Sequence, residues 1–294
     1  MALLRDYLIL TRPHQLIKNG FLFLPLFFGN KLTDLHALGQ VCIGFCCFCF
    51  AGMAVYVFND LRDVDDDRKH PVKCKRPIAA NKVGAVEAVL MILILAALAL
   101  TGSSVLLGWA FAGIVGAYLF LNLVYTLGLK HVAILDITCI AVGFVMRVYA
   151  GGEAGNVRTS HWIVLMTFLL AMFLALAKRR DDLLLAKGGA KTRKSLDGYN
   201  MEMVSSGMNI MAAVTIVSYV LYTVSPDVVA FHSSRHLYLT SFWVIVGILR
   251  YLQITYVQNR SGSPTKVLLQ DIFLILVILC WLASIFVIKY VFSH

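Results

Sequence analysis

The sequence predicts an all-α fold: a polytopic bundle of nine transmembrane helices with its N-terminus in the cytoplasm. Three observations lead there. The 294 residues are 60% hydrophobic and only 14% charged, where soluble domains carry about 25% charged residues. Mean hydropathy is +0.79. The basic residues fall on alternate connections between apolar stretches, which fixes an orientation as well as a class.

Windows of about 20 residues match a hydrocarbon core of about 30 Å. They place spans near 19–35, 38–58, 83–101, 104–126, 132–152, 160–178, 207–225, 236–257 and 268–290. The first is the least regular, because Pro25, Gly29 and Lys31 interrupt it. With the N-terminus inside, 21 of the 26 Lys and Arg residues face the cytoplasm. Three lie in the N-terminal arm, seven between 59 and 82, seven between 178 and 206, and the rest are Lys130, Arg250, Arg260 and Lys266. Lys31, Arg158, Arg235 and Lys289 face the other side, and Arg147 falls within a span. That asymmetry obeys the positive-inside rule.

The expected organisation is a single membrane domain, 1–294, with active-site loops at 59–82 and 178–206 on the cytoplasmic face. The two loops are separated by four crossings, which suggests a bundle of two halves. No cleavable signal pattern is expected, since Arg5, Asp6, Arg12, His14 and Lys18 interrupt any early apolar run. Cys46-x-x-Cys49 has metal-ligand spacing but no His or charged partner nearby, so it is expected to pack helices. Nucleic acid is not expected as a partner, whereas a homo-oligomer is compatible with the pattern.

The richest stretch begins where the second span ends. Five of the sixteen acids fall within eight residues, at Asp60, Asp63, Asp65, Asp66 and Asp67, and Arg68, Lys69, Lys73, Lys75 and Arg76 follow at once. At about 100° per residue, Asp60, Asp63 and Asp67 share one helical face, which Tyr56 and Asn59 extend. Carboxylates on one face repel unless a cation holds them. Mg²⁺ favours a few carboxylates together with substrate phosphates, so these acids beside Lys and Arg suit a Mg²⁺–diphosphate site. Asp60, Asp63 and Asp67 are the carboxylates expected to hold the cation. The bland alternative is a charged helix end at the membrane interface.

The second charged loop opens with Lys178-Arg179-Arg180-Asp181-Asp182 and continues through Lys187, Lys191, Arg193 and Lys194 to Leu196-Asp197-Gly198-Tyr199. It reads either as a solvated loop attracted to anionic lipid or as a second site for phosphate oxygens. Asn122, Tyr125, Lys130, His131 and Asp136 cluster at the same membrane face. Arg147 lies eleven residues beyond Asp136, at a depth costly for a lone guanidinium. It either bonds carbonyls or Asn side chains or lines a polar cavity. Lys18 either snorkels or meets a lipid phosphate.

Together these residues resemble a family. Asn59-Asp60-x-x-Asp63-x-x-x-Asp67 in such a bundle is similar to the UbiA-type membrane prenyltransferase superfamily. Arg12-Pro13-His14-Gln15-x-x-Lys18-Asn19, His70-Pro71-x-Lys73-x-x-Arg76-Pro77-Ile78-Ala79, Gly128-Leu129-Lys130-x-x-x-x-Leu135-Asp136, Lys178-Arg179-Arg180 and Leu196-Asp197-Gly198-Tyr199 resemble its decaprenyl-phosphate phosphoribosyltransferase branch. The chain departs from the aromatic branch, which carries a second Asp-x-x-x-Asp motif after the sixth span. It also has Asn81 where Gly is expected, a mild change because Asn tolerates left-handed backbone.

The resemblance implies a Mg²⁺-dependent pentosyltransferase of the bacterial inner membrane. Its substrates would be phosphoribosyl diphosphate and a polyprenyl (decaprenyl-type) monophosphate, in a step towards a lipid-linked pentose donor for cell-wall polysaccharide. Asp60, Asp63 and Asp67, with Asn59, would hold the metal, and the three acids would be catalytic through it. The substrate would be bound by Lys18, Tyr56, Lys73, Arg76, Tyr125, Lys130, Asp136, Arg147, Lys178, Arg179, Arg180, Asp182 and Tyr199. The rival expectations are prenyl transfer from a diphosphate to an aromatic or porphyrin acceptor, and a non-enzymatic lipid transporter.

Overall fold

The computed structural model describes residues 2–69, 72–187 and 194–291. Within them the fold is all-helical and contains no strand. The helices are α1 (Ala2–Thr11), α2 (Leu24–Phe28), α3 (Leu35–Arg62), α4 (Val64–Arg68), α5 (Ala85–Leu106), α6 (Trp109–Leu127), α7 (Leu135–Ala154), α8 (His161–Lys187), α9 (Met201–Val224), α10 (Pro226–His232), α11 (Ser241–Tyr256), α12 (Pro264–Gln270) and α13 (Ile272–Val291). Of the described helices, seven are long and apolar enough to cross a bilayer; the bent pair α12–α13, with 79° between its halves, makes eight. The chain is an integral membrane protein.

Eight of the nine expected spans therefore have a helix or bent pair behind them. The region near 19–35 does not form a long α-helix. Pro13–Phe23 is a 3-10 helix that runs on into α2, with Leu24 in right-handed helical geometry at the join. A 3-10 helix rises about 2.0 Å per residue against 1.5 Å for an α-helix, so the two pieces reach about 30 Å together. This segment packs on α3 and α7. Gly151 permits the approach, since a Cβ there would lie 1.9 Å from the Leu22 carbonyl oxygen.

Two compact units divide the chain, Met1–Val164 and Leu165–His294. In the first, α3 is the central element, packing against α1, α5, α6, α7 and the 3-10 helix. Asp34 caps its start by accepting from the backbone N–H groups of His36 and Ala37. Its core joins Phe48, Ala51 and Val55 of α3 to Phe111, Val115 and Tyr118 of α6 and to Leu22 and Leu26. By contrast α5 turns Val86, Leu90, Leu93 and Ile94 outward, as a lipid-facing helix does. In the second unit α9, α10, α12 and α13 pack in a chain of neighbours around α11.

The two charged loops are more structured than the sequence suggests. Residues 59–69 are the end of α3 and all of α4, broken only at Asp63 (φ −95°, ψ 11°). Lys178–Asp182 lie on α8, which continues to Lys187, so this basic cluster is helical. His70, Pro71, Lys191 and Arg193 lie outside the described residues. Asn81 takes the left-handed backbone expected of it (φ 55°) and accepts a 2.7 Å hydrogen bond from Arg68 Nη2.

Candidate functional site

The break at Asp63 keeps the helical spacing, because the Asp63 and Asp67 N–H groups still bond the Asn59 and Asp63 carbonyls. Asp60 and Asp67 consequently remain neighbours, and both are almost fully buried. Arg76 Nη1 sits between them, 3.0 Å from Asp60 Oδ1 and 2.6 Å from Asp67 Oδ2. Lys73 Nζ lies 4.0 Å from Asp67 Oδ1. Asp63, which is more open, is paired with the buried Lys130 from the 3-10 turn that follows α6. Asp65 and Asp66 are exposed and point away, as the helical phase requires. Among the described residues no three His, Cys, Asp or Glu side chains form a ready metal cage; the acids are instead held by cations.

Two residues of this cluster are absent from the expected set. Arg12 Nη2 also donates to Asp60 Oδ1, and its guanidinium lies 5.3 Å from the centre of the Tyr56 ring. Its backbone is left-handed (φ 51°, ψ 59°), an uncommon state for a side chain other than Gly or Asn. Burial draws its guanidinium below the ordinary pKa while Asp60 opposes that shift. Thr126, near the end of α6, donates to Asn59 Oδ1. Asn59 is thus positioned through its oxygen, the atom it would offer a metal.

Arg147 is buried and fully engaged. Its Nε donates to Asn19 Oδ1 (2.8 Å), Nη1 to the Gly143 carbonyl (2.7 Å) and Nη2 to Tyr118 Oη (2.8 Å). The carbonyl and Asn alternative is the one observed, and the bonds tie α7 to α6 and to the 3-10 helix. Asp136 is buried at the start of α7, where Oδ1 accepts from the Ile137 N–H. Lys18 and Tyr125 are half-buried in the same unit.

In the second unit, Arg179 pairs with Asp182 at 2.6 Å. Arg180 Nη1 donates to the Thr255 carbonyl (2.6 Å) and Asn259 Oδ1 (2.9 Å), with the Tyr256 ring 4.9 Å away. Among the described residues its Nε, a buried donor, has no hydrogen-bond acceptor. Lys178 and Asp182 are half-buried, and Tyr199 is buried. Asp181, Arg260, Lys266 and Asp271 line a cavity of about 300 Å³ with the 258–263 connection.

The family model for the UbiA prenyltransferase family matches residues 22–274. The chain belongs to that family. Among UbiA relatives, it is 34% identical to a decaprenyl-phosphate phosphoribosyltransferase of Corynebacterium glutamicum, over 95% of this chain and 85% of the relative. It is 33% identical to one of Mycolicibacterium smegmatis, over 94% and 89%. Its fold is similar to a UbiA homolog from Archaeoglobus fulgidus solved with GPP and Mg²⁺, with a TM-score of 0.73 at 21% identity over 97% of this chain and 100% of that one. The resemblance carried by the motifs is therefore correct at the level of the family.

Proposed function

We propose that this UbiA family transferase moves 5-phosphoribose from phosphoribosyl diphosphate to a polyprenyl monophosphate and releases diphosphate. The observation that carries the proposal is the meeting of two buried carboxylates, Asp60 and Asp67, at one cationic point, with Arg12, Lys73 and Lys130 close by. The names of the relatives from C. glutamicum and M. smegmatis support the sugar-phosphate donor and the lipid acceptor.

Hard divalent cations fit the donors present. Asp60 Oδ1 and Asp67 Oδ2 converge on a single nitrogen, and Mg²⁺ is commonly held by one or two carboxylates plus substrate phosphates. Asp60 and Asp67 would hold it, with Asp63 and the oriented Asn59 next to them. When bound, Mg²⁺ supplies Lewis-acid neutralisation of the leaving diphosphate.

The chain's own residues supply the rest. A phosphate oxygen of the acceptor attacks the anomeric carbon, and the bond from that carbon to the diphosphate oxygen breaks, the electron pair leaving with diphosphate. The acceptor phosphate is already anionic near pH 7, so no strong base is needed. What is needed is positive charge fixed near the leaving group, for which we assign Lys73, Arg76 and Lys130 and add Arg12. Tyr125 orients the ribose, the buried Asp136 supports the surrounding shell from the start of α7, Tyr56 backs Arg12, and Lys18 meets the lipid phosphate. Within the second unit Lys178 and Arg179 are proposed contacts for phosphate oxygens, with Asp182 holding Arg179, while Arg180 is committed to the Thr255 carbonyl and Asn259. Arg147 acts at a distance, by holding the 3-10 helix that starts just after Arg12.

We place this chemistry on the cytoplasmic face of the bacterial inner membrane. The sorting of the basic residues supports that side. With the 3-10 helix and α2 reaching about 30 Å, nine crossings and a cytoplasmic N-terminus are consistent.

The test is transfer of label from radioactive phosphoribosyl diphosphate to an organic-extractable lipid by purified protein supplied with polyprenyl phosphate and Mg²⁺. We expect label in the lipid, abolished by a chelator. No transfer, with prenylation of an aromatic acceptor from a polyprenyl diphosphate instead, overturns the proposal.

A further inference from the structure

We infer that Arg76 and the divalent cation compete for the same two oxygens, so that entry of the cation hands Arg76 to the substrate's diphosphate. The inference rests on the Mg²⁺–diphosphate reading above. It would make cation and diphosphate binding mutually dependent.

The geometry behind it is specific. One nitrogen, Arg76 Nη1, lies within hydrogen-bond distance of carboxylate oxygens from two different residues. A cation bound to Asp60 Oδ1 and Asp67 Oδ2 would need that same position. Two positive charges repel at such separation in a site screened from water, so the guanidinium has to move.

The two sides of the contact differ in freedom. Asp60 and Asp67 are on α3 and α4, and their side chains are 2% and 3% exposed. Arg76 follows the short 3-10 turn Lys73–Lys75 in extended geometry, and its side chain is 27% exposed. The acids are therefore the fixed partners and Arg76 the one with room to swing. A displaced guanidinium is a fork of donors suited to phosphate oxygens. Arg12 shares Asp60 Oδ1 with Arg76, so it keeps part of the acid's charge compensated during the exchange.

The competition can be read without turnover. Mn²⁺ binding to the full-length protein in detergent, followed by electron paramagnetic resonance with no diphosphate present, is compared for wild type, Arg76→Met, Arg76→Gln and Arg76→Lys. Removing the positive competitor should tighten Mn²⁺ binding about tenfold or more in the Met and Gln variants, while Lys stays near wild type. Binding in Arg76→Met and Arg76→Gln that is no tighter than wild type overturns the inference.

A second measurement needs no variant. Phenylglyoxal modification of Arg76, read by peptide mass spectrometry, should become several-fold faster when Mn²⁺ is added to wild type, and an unchanged or slower rate overturns the inference. The donor is tested apart. If geranyl diphosphate strengthens Mn²⁺ binding and phosphoribosyl diphosphate does not, the competition stands while the proposed function fails.

Discussion

The two charged segments look alike in sequence, with seven Lys and Arg residues each, yet the structure uses their cations differently. In the first, Arg76 lies on the buried Asp60 and Asp67, joined from outside the segment by Arg12 on Asp60 and Lys130 on Asp63. Under the proposed function, these are ion pairs whose partners a metal and an anion exchange. In the second, Arg180 is fastened to the Thr255 carbonyl and Asn259 and leans on Tyr256, while Arg179 takes the adjacent Asp182. Arg180 thereby holds the end of α11 to the helix it sits on. A count of charges does not separate an exchangeable cluster from a structural clamp; the acceptor does. Carboxylates buried beside several cations are chemistry in waiting, whereas a backbone carbonyl has nothing to exchange.

The sharpest way to break this contrast is Asp67→Asn. We expect turnover in the label-transfer assay to fall at least ~100-fold, the size associated with losing a key electrostatic group, with little change in melting temperature. Retained turnover in a well-folded variant would remove the metal role from this face of α4. Lys130→Met should be next, lowering turnover by roughly tenfold as Asp63 loses its partner and a phosphate loses a cation; the Michaelis constant for phosphoribosyl diphosphate should rise.

Arg180→Met probes the other side of the comparison. It leaves the Thr255 carbonyl and Asn259 without their donor, so a loss of about 1–3 kcal/mol in stability is expected, measured as a lower melting temperature. A turnover defect with unchanged melting would make Arg180 a phosphate ligand first. Asn81→Gly should be the mildest, within about 0.5 kcal/mol of wild type, because glycine relieves the left-handed backbone while giving up the bond from Arg68. Melting of this variant measures whether that turn matters to the cluster at all.

Much of the fold was legible because membrane spans announce themselves by length and apolarity, and seven helices plus the bent pair α12–α13 follow that pattern. The region near 19–35 was read less well, since windows assume 1.5 Å per residue and Pro13–Phe23 is a 3-10 helix. Asp60, Asp63 and Asp67 could be read from spacing alone. Their cations could not be assigned to them, because the partners are set by tertiary packing: Arg12 is 48 residues from Asp60, and Lys130 is 67 from Asp63. Arg12 is moreover itself left-handed, immediately before Pro13, and neither propensity nor periodicity signals that. For Arg147 the depth and the kind of partner were legible but not which residues, since Asn19 and Tyr118 lie 128 and 29 residues away. Lys178–Asp182 looked like loop because charge ended the apolar window, although α8 runs on through them.

The central claim is that the acid–cation cluster around Asp60 and Asp67 serves transfer of a phosphorylated pentose to a lipid phosphate. Mass spectrometry of the lipid made by purified wild-type protein from polyprenyl phosphate, phosphoribosyl diphosphate and Mg²⁺ tests it most directly. The account predicts a product heavier than the acceptor by one phosphoribosyl group, which is missing when Asp67→Asn replaces wild type. An unchanged acceptor beside a prenylated aromatic product formed from polyprenyl diphosphate would contradict it.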